Sequence, residues 1–147
     1  MRFLRLGGLA LALVLLAATA PPARAQPPVV ELGAGMHLIH AALAADDRSR
    51  MRGLMFRTSL GPNEGMLFVF DESTTHCMWM KNTLVPLSVA FLDESAHIIN
   101  VADMAPQTET PHCATQPARY ALEMRRGWFS ERGLGPGTEI RGIVRKR

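Results

Sequence analysis

The sequence predicts a mainly β domain, a compact sandwich or small barrel of about seven short strands with one or two short helices. Three observations point there. The apolar runs are short, and several alternate with polar residues as half-buried strands do. Gly and Pro, 12 and 10 of the 147 residues, break the chain at close intervals. Helix signals are confined to two short segments.

Residues 1–25 read as a signal peptide cleaved after Ala25. Arg2 and Arg5 form a basic start, Leu6 to Ala20 is an apolar run, and Ala23-Arg24-Ala25 is a small-x-small cleavage site. The run falls short of the roughly 20 residues a membrane span needs. The expected address is periplasmic or secreted, with no membrane span after processing. Residues 26–35 are expected to be a linker, 36–144 a single β domain, and 145–147 a basic tail.

Met36 to Leu43 reads as the first strand. Asp46 to Arg52 reads as a short helix with Asp46 as N-cap, acids in the first turn, arginines in the last, and Gly53 as a left-handed stop. This helix is expected to plug one end of the sheet. Met66 to Phe70 is five apolar residues between turn signals, which suits a strand buried on both faces. Asp71 to Thr74 follows as a polar loop. Thr75 to Asn82 alternates imperfectly, with Cys77 and Trp79 on one face and Met78 and Met80 on the other. Leu84 to Leu92, Ile98 to Met104, Tyr120 to Arg125 and Thr138 to Val144 complete the expected strands. A Pro-containing loop spans 105–117, and Trp128 to Arg132 reads as one helical turn ended by Gly133.

The formal charge of +3 belongs to the leader. Without Arg2, Arg5 and Arg24 the basic residues equal the 13 acids. No block of five like charges occurs, so nucleic-acid binding, which rests on clustered Lys and Arg, is disfavoured.

Several segments together carry a resemblance: Arg52-Gly53-Leu54-Met55-Phe56-Arg57, Gly65 to Phe70, Trp79-Met80-Lys81-Asn82-Thr83, Pro86-Leu87 with Phe91, Pro106, Tyr120 to Glu123, and Gly127 followed by the Gly133 to Gly137 turn. In order and spacing they resemble the bacterial and archaeal family called domain of unknown function 192, over roughly residues 36–144. The resemblance implies a compact all-β domain, often behind a signal peptide. It brings no established activity. The chain departs from the family pattern at Ser88, where an Asp commonly follows Pro-Leu, and at Cys77-Met78, where an aromatic often precedes Trp.

Three constellations could carry chemistry. Trp79, Lys81, Asn82 and Thr83 place an aromatic plate beside an amine, an amide and a hydroxyl, which can hold a polar small molecule or an envelope glycan. Arg52, Arg57 and Glu123 complete such a site if the fold brings them together. The same residues also suit a capped turn next to a core Trp. His76, Cys77, Met78, Met80 and Cys113 offer the soft ligands that favour Cu(I), an alternative copper-handling role, although alternation turns Cys77 away from the methionines. Cys77 and Cys113, in a compartment that permits oxidation, form the competing disulfide. An enzyme of unknown reaction requires Lys81 and Glu123 to converge in one pocket. Otherwise Glu123 is expected to be a solvated or partly buried partner of an arginine. No cofactor or metal is expected. The best sequence-based reading is a non-enzymatic ligand-binding or glycan-binding domain.

Overall fold

The computed structural model describes residues 26–144. The expected signal peptide and the basic tail 145–147 lie outside them. The described residues fold as nine strands, one α-helix and one 3-10 turn. These are β1 (Val29–Ala34), β2 (His37–Ala44), α1 (Asp47–Arg52), β3 (Glu64–Thr74), β4 (Cys77–Met78), β5 (Leu87–Leu92), β6 (Ile98–Met104), β7 (His112–Cys113), β8 (Ala118–Arg125), the 3-10 turn Ser130–Arg132, and β9 (Ile140–Arg141).

Seven strands make one curled sheet in the order β6-β5-β8-β3-β2-β1-β9, and β4 pairs with β7 in a separate two-stranded sheet. All pairings are antiparallel except β2 with β3. A parallel pair needs a crossover, and residues 45–63, including α1, supply it. The curl brings the two edges of the sheet together at one end. The amide of Ile98 donates to the Thr138 carbonyl at 2.9 Å, and that of Ile140 to the Ala96 carbonyl at 2.9 Å. The result is a half-barrel within the predicted class.

Alternation sorts the apolar residues onto the two faces of the sheet. Leu122 and Met124 of β8, Ala90 and Leu92 of β5, Leu67 of β3 and Ile39 of β2 fill the inner core with Trp128 and Phe129. Ala121 of β8, Val89 and Phe91 of β5, and Met66 and Phe68 of β3 face outward and are covered by Leu54, Met80 and Ala114 from the connecting segments. A sheet covered on both faces reads as nearly continuous burial, which is why all six residues of β5 are buried.

Several expectations are corrected. The linker 26–35 contains β1, whose Leu32 and Ala34 are buried in the inner core. The polar loop 71–74 is the continuation of β3, and the loop 105–117 contains β7. The last strand is only two residues long. α1 buries none of its residues and plugs nothing. Trp128 and Phe129 close the inner core instead, with Trp128 Nε1 donating to Asn63 Oδ1 at 3.2 Å.

The helix start follows its local chemistry. Asp46 Oδ1 accepts the Ser49 amide at 2.9 Å, and Ser49 Oγ accepts the Asp46 amide at 3.2 Å, a reciprocal capping box. Gly53 does end the helix, with φ 48° and ψ −136°. That conformation has positive φ but is not the left-handed helical one expected.

Candidate functional site

Glu123 sits near the middle of the large sheet. It lies opposite Met66 of β3 on one side and Val89 of β5 on the other. Tyr120, Leu122 and Met124 take the inner face of β8, so Glu123 takes the outer face with Ala121. Connecting segments cover that face, and Glu123 is only 3% exposed. Among the described residues, its carboxyl has no hydrogen bond or ion pair. Burial therefore pushes its pKa up to about 8, and no opposite charge pulls it back. At neutral pH the group is mostly a neutral acid that can both donate and accept. The arginine partner expected from the sequence is not there.

The carboxyl lines a small cavity of about 30 Å³. A water needs about 10–15 Å³ measured this way, so the space suits one small polar group. The C-terminal turn of α1 forms one wall with Arg50, Met51 and Arg52, continued by Gly53, Leu54 and Met55. Met78, Trp79 and Thr83 form another wall, and Phe68 of β3 also lines the space.

The charges around the cavity are unequal. Arg50 is fully committed: Nη1 donates to the Val69 carbonyl at 2.8 Å, while Nη2 pairs with Asp47 at 2.6 Å and Asp71 at 2.7 Å. Arg52 is exposed and, among the described residues, makes no ion pair. Thr83 is buried, and its Oγ1 donates to the Lys81 carbonyl at 3.1 Å. That bond caps the local turn as the structural alternative foresaw, yet it leaves the oxygen free to accept. Trp79 is 48% exposed and belongs to no core.

Four of the seven sequence-predicted ligand residues thus share this cavity: Arg52, Trp79, Thr83 and Glu123. Lys81, Asn82 and Arg57 do not line it. Lys81 Nζ stands 5.3 Å from the Trp79 ring centre and 3.4 Å from Glu109. Asn82 is exposed with φ 52°, and its carbonyl accepts the Phe56 amide at 2.9 Å. Arg57 turns to Glu64 at 3.2 Å. Lys81, which an enzyme required in one pocket with Glu123, pairs with Glu109 instead. Sequence reasoning missed Met51, Met55, Met78 and Phe68 as lining residues. The Asn82–Phe56 bond joins the two segments Arg52 to Arg57 and Trp79 to Thr83. Phe56 itself is 61% exposed with φ 64°, a strained setting for an aromatic residue beside the site.

Cys77 and Cys113 face each other across the β4–β7 ladder and are bonded, S–S 2.03 Å. The bond removes both thiolates from the proposed Cu(I) set. Met80 is fully buried, and His76 stacks on Phe70 with ring centres 3.7 Å apart. At position 88, Ser88 Oγ donates to Asp103 Oδ1 at 2.5 Å and accepts the Gly127 amide at 2.9 Å. Asp103 is the register partner of Ser88 on β6. The carboxylate missing at position 88 thus stands directly across the ladder.

The DUF192 family model, described as "Uncharacterized ACR", matches residues 29–142. The chain belongs to the DUF192 family. The match starts at β1, where the sequence reading had placed a linker. A putative transcription regulator from Sinorhizobium meliloti 1021 is similar at 29% identity, with a TM-score of 0.78 over 82% of this chain and 98% of that one. A protein of unknown function from Novosphingobium aromaticivorans DSM 12444 is similar at 32% identity, with a TM-score of 0.74 over 84% of this chain and 93% of that one. Comparison with curated proteins gives no match. The family and the β-rich architecture are thereby fixed.

Proposed function

We propose that this DUF192 domain acts after export as a non-enzymatic binding module for a small polar ligand, of the class of a sugar or envelope-glycan fragment. The observation that carries the reading is Glu123, a buried carboxyl without a partner at a cavity sized for one polar group. Buried polar groups take a hydrogen-bond partner from protein, water or ligand, and the Glu123 carboxyl has none from the protein among the described residues. A ligand hydroxyl can accept from the neutral acid and donate to its carbonyl oxygen. Thr83 Oγ1 accepts a second bond, and Arg52 at the same cavity offers donors. Trp79 provides a half-exposed face on which a ring can stack.

The disulfide supports an oxidising compartment and hence the export reading. The regulator description belongs to the S. meliloti protein and does not guide this reading.

The test is an NMR screen of glycan fragments and short peptides against the domain. A ligand of the proposed class shifts the Trp79 indole N–H and the Thr83 amide, and Trp79→Ala removes the response. A screen in which glycan fragments leave both signals unmoved, or in which only peptides move them, overturns the proposal.

A further inference from the structure

The segment Arg52 to Met55 has a second side. Away from the Glu123 cavity it borders an open groove of about 750 Å³, walled by Pro28 before β1, by Leu43 of β2 and by Met55. The volume lies within the roughly 300–1,000 Å³ range of sites for single small ligands. Arg48, Arg52 and Arg57 also line it.

The arginines carry the inference. Arg48 and Arg52 are four apart on α1, so they share one helical face. Like charges at that spacing repel. Among the described residues, neither has a carboxylate partner. The third arginine of the helix, Arg50, points elsewhere and is neutralised by Asp47 and Asp71. Asp46 also lines the groove; it accepts the Ser49 amide at 2.9 Å and keeps its negative charge, so the groove carries both signs with the arginines in excess. Arg57 shares its charge with Glu64. The groove therefore joins an apolar wall to a pair of guanidinium groups that, among the described residues, form no ion pair. A guanidinium pair matches a carboxylate by charge-assisted hydrogen bonds.

From this we infer that the groove binds a single-chain carboxylate amphiphile of the fatty-acid class. Its head lies between Arg48 and Arg52 and its chain lies along Pro28, Leu43 and Met55. The charge complementarity selects the occupant, and the volume suits one chain. The groove is a different opening from the Glu123 cavity, although the Arg52, Gly53, Leu54 and Met55 segment lines both.

Calorimetric titration of the domain with sodium laurate, below its micelle concentration, tests the inference. 1-Dodecanol serves as the neutral control and dodecylphosphocholine as the lipid-headgroup control. Laurate is expected to bind about tenfold more tightly than either, and Arg48→Gln to remove about that factor. Arg126→Gln, which removes an equal charge from an exposed position outside the groove, is expected to leave laurate binding unchanged. The exposed Arg48 makes loss of folding an improbable confusion, and a thermal melt of the variant checks it. Equal binding of laurate and dodecanol, preference for dodecylphosphocholine, no binding at all, or full laurate affinity in folded Arg48→Gln each overturns the inference.

Discussion

A carboxyl buried in the middle of a sheet without a partner is costly to ionise, and Glu123 meets that cost by keeping its proton. The consequence for stability has a definite sign. Its ordinary value is 4.5 and its folded value about 8. Below the ordinary value both folded and unfolded chains are protonated, and no penalty arises. As pH rises from there towards about 8, only the unfolded chain gives up the proton, and stability falls by roughly 3 kcal/mol at pH 7. Glu123→Gln is expected to flatten this dependence in denaturant unfolding between pH 4 and 8. Parallel pH profiles for the two proteins contradict it. Gly65, beside Glu123 on β3, has no room for a side chain, because a Cβ there meets the Glu123 carbonyl and the Met124 sulfur. Gly65→Ala is expected to cost roughly 1–3 kcal/mol, read from the same denaturant curves. Trp79→Ala, at a half-exposed position, is expected to leave the melting temperature nearly unchanged while ligand response is lost.

Among the elements, the disulfide carries the most mechanical weight for the site. Cys77 directly precedes Met78 and Trp79, which line the cavity, and Cys113 anchors the 105–117 segment opposite. Two backbone bonds support the same junction: the Met80 amide to the Thr108 carbonyl at 2.9 Å and the Gln107 amide to the Thr83 carbonyl at 3.0 Å. Replacing both cysteines by serine is expected to lower stability by roughly 3–4 kcal/mol, by loop-closure arithmetic over a separation of 36 residues. An unchanged thermal midpoint contradicts a structural role. The legibility of the elements follows the same logic of local against long-range signals. β5, β6 and β8 could be read because apolar periodicity and flanking turns mark them locally. α1 could be read from Asp46, Ser49 and Gly53. β1 could not, because Val29 to Ala34 is preceded by two prolines and earns its place by pairing with β2 and β9. β4, β7 and β9 are two-residue strands defined by partners distant in sequence. Glu123 was misread for a related reason: alternation shows that it opposes Leu122 and Met124, but not that connecting segments cover the face it occupies.

For the whole molecule, the curled sheet creates two different environments. Its inner face is a closed apolar core, and its outer face is covered by connecting segments that supply Leu54, Met80 and Ala114. The cavity lies where those covering pieces meet over β8. Arg52, Trp79, Thr83 and Glu123 line one cavity because the motif segments converge there, and Lys81, Asn82 and Arg57 lie outside it; spacing alone cannot show where exposed side chains turn. The export reading carries its own expectation: the mature chain recovered from the envelope or medium begins at Gln26, which intact-mass spectrometry reads directly. A mass that retains the first 25 residues contradicts it. The central claim, that the fold holds one neutral, unmatched acid open to a ligand, is tested most directly by a carbon-13 NMR titration of the Glu123 carboxyl in the folded domain. A midpoint near 8 is expected, and a midpoint in the ordinary carboxylate range near 4.5 contradicts it.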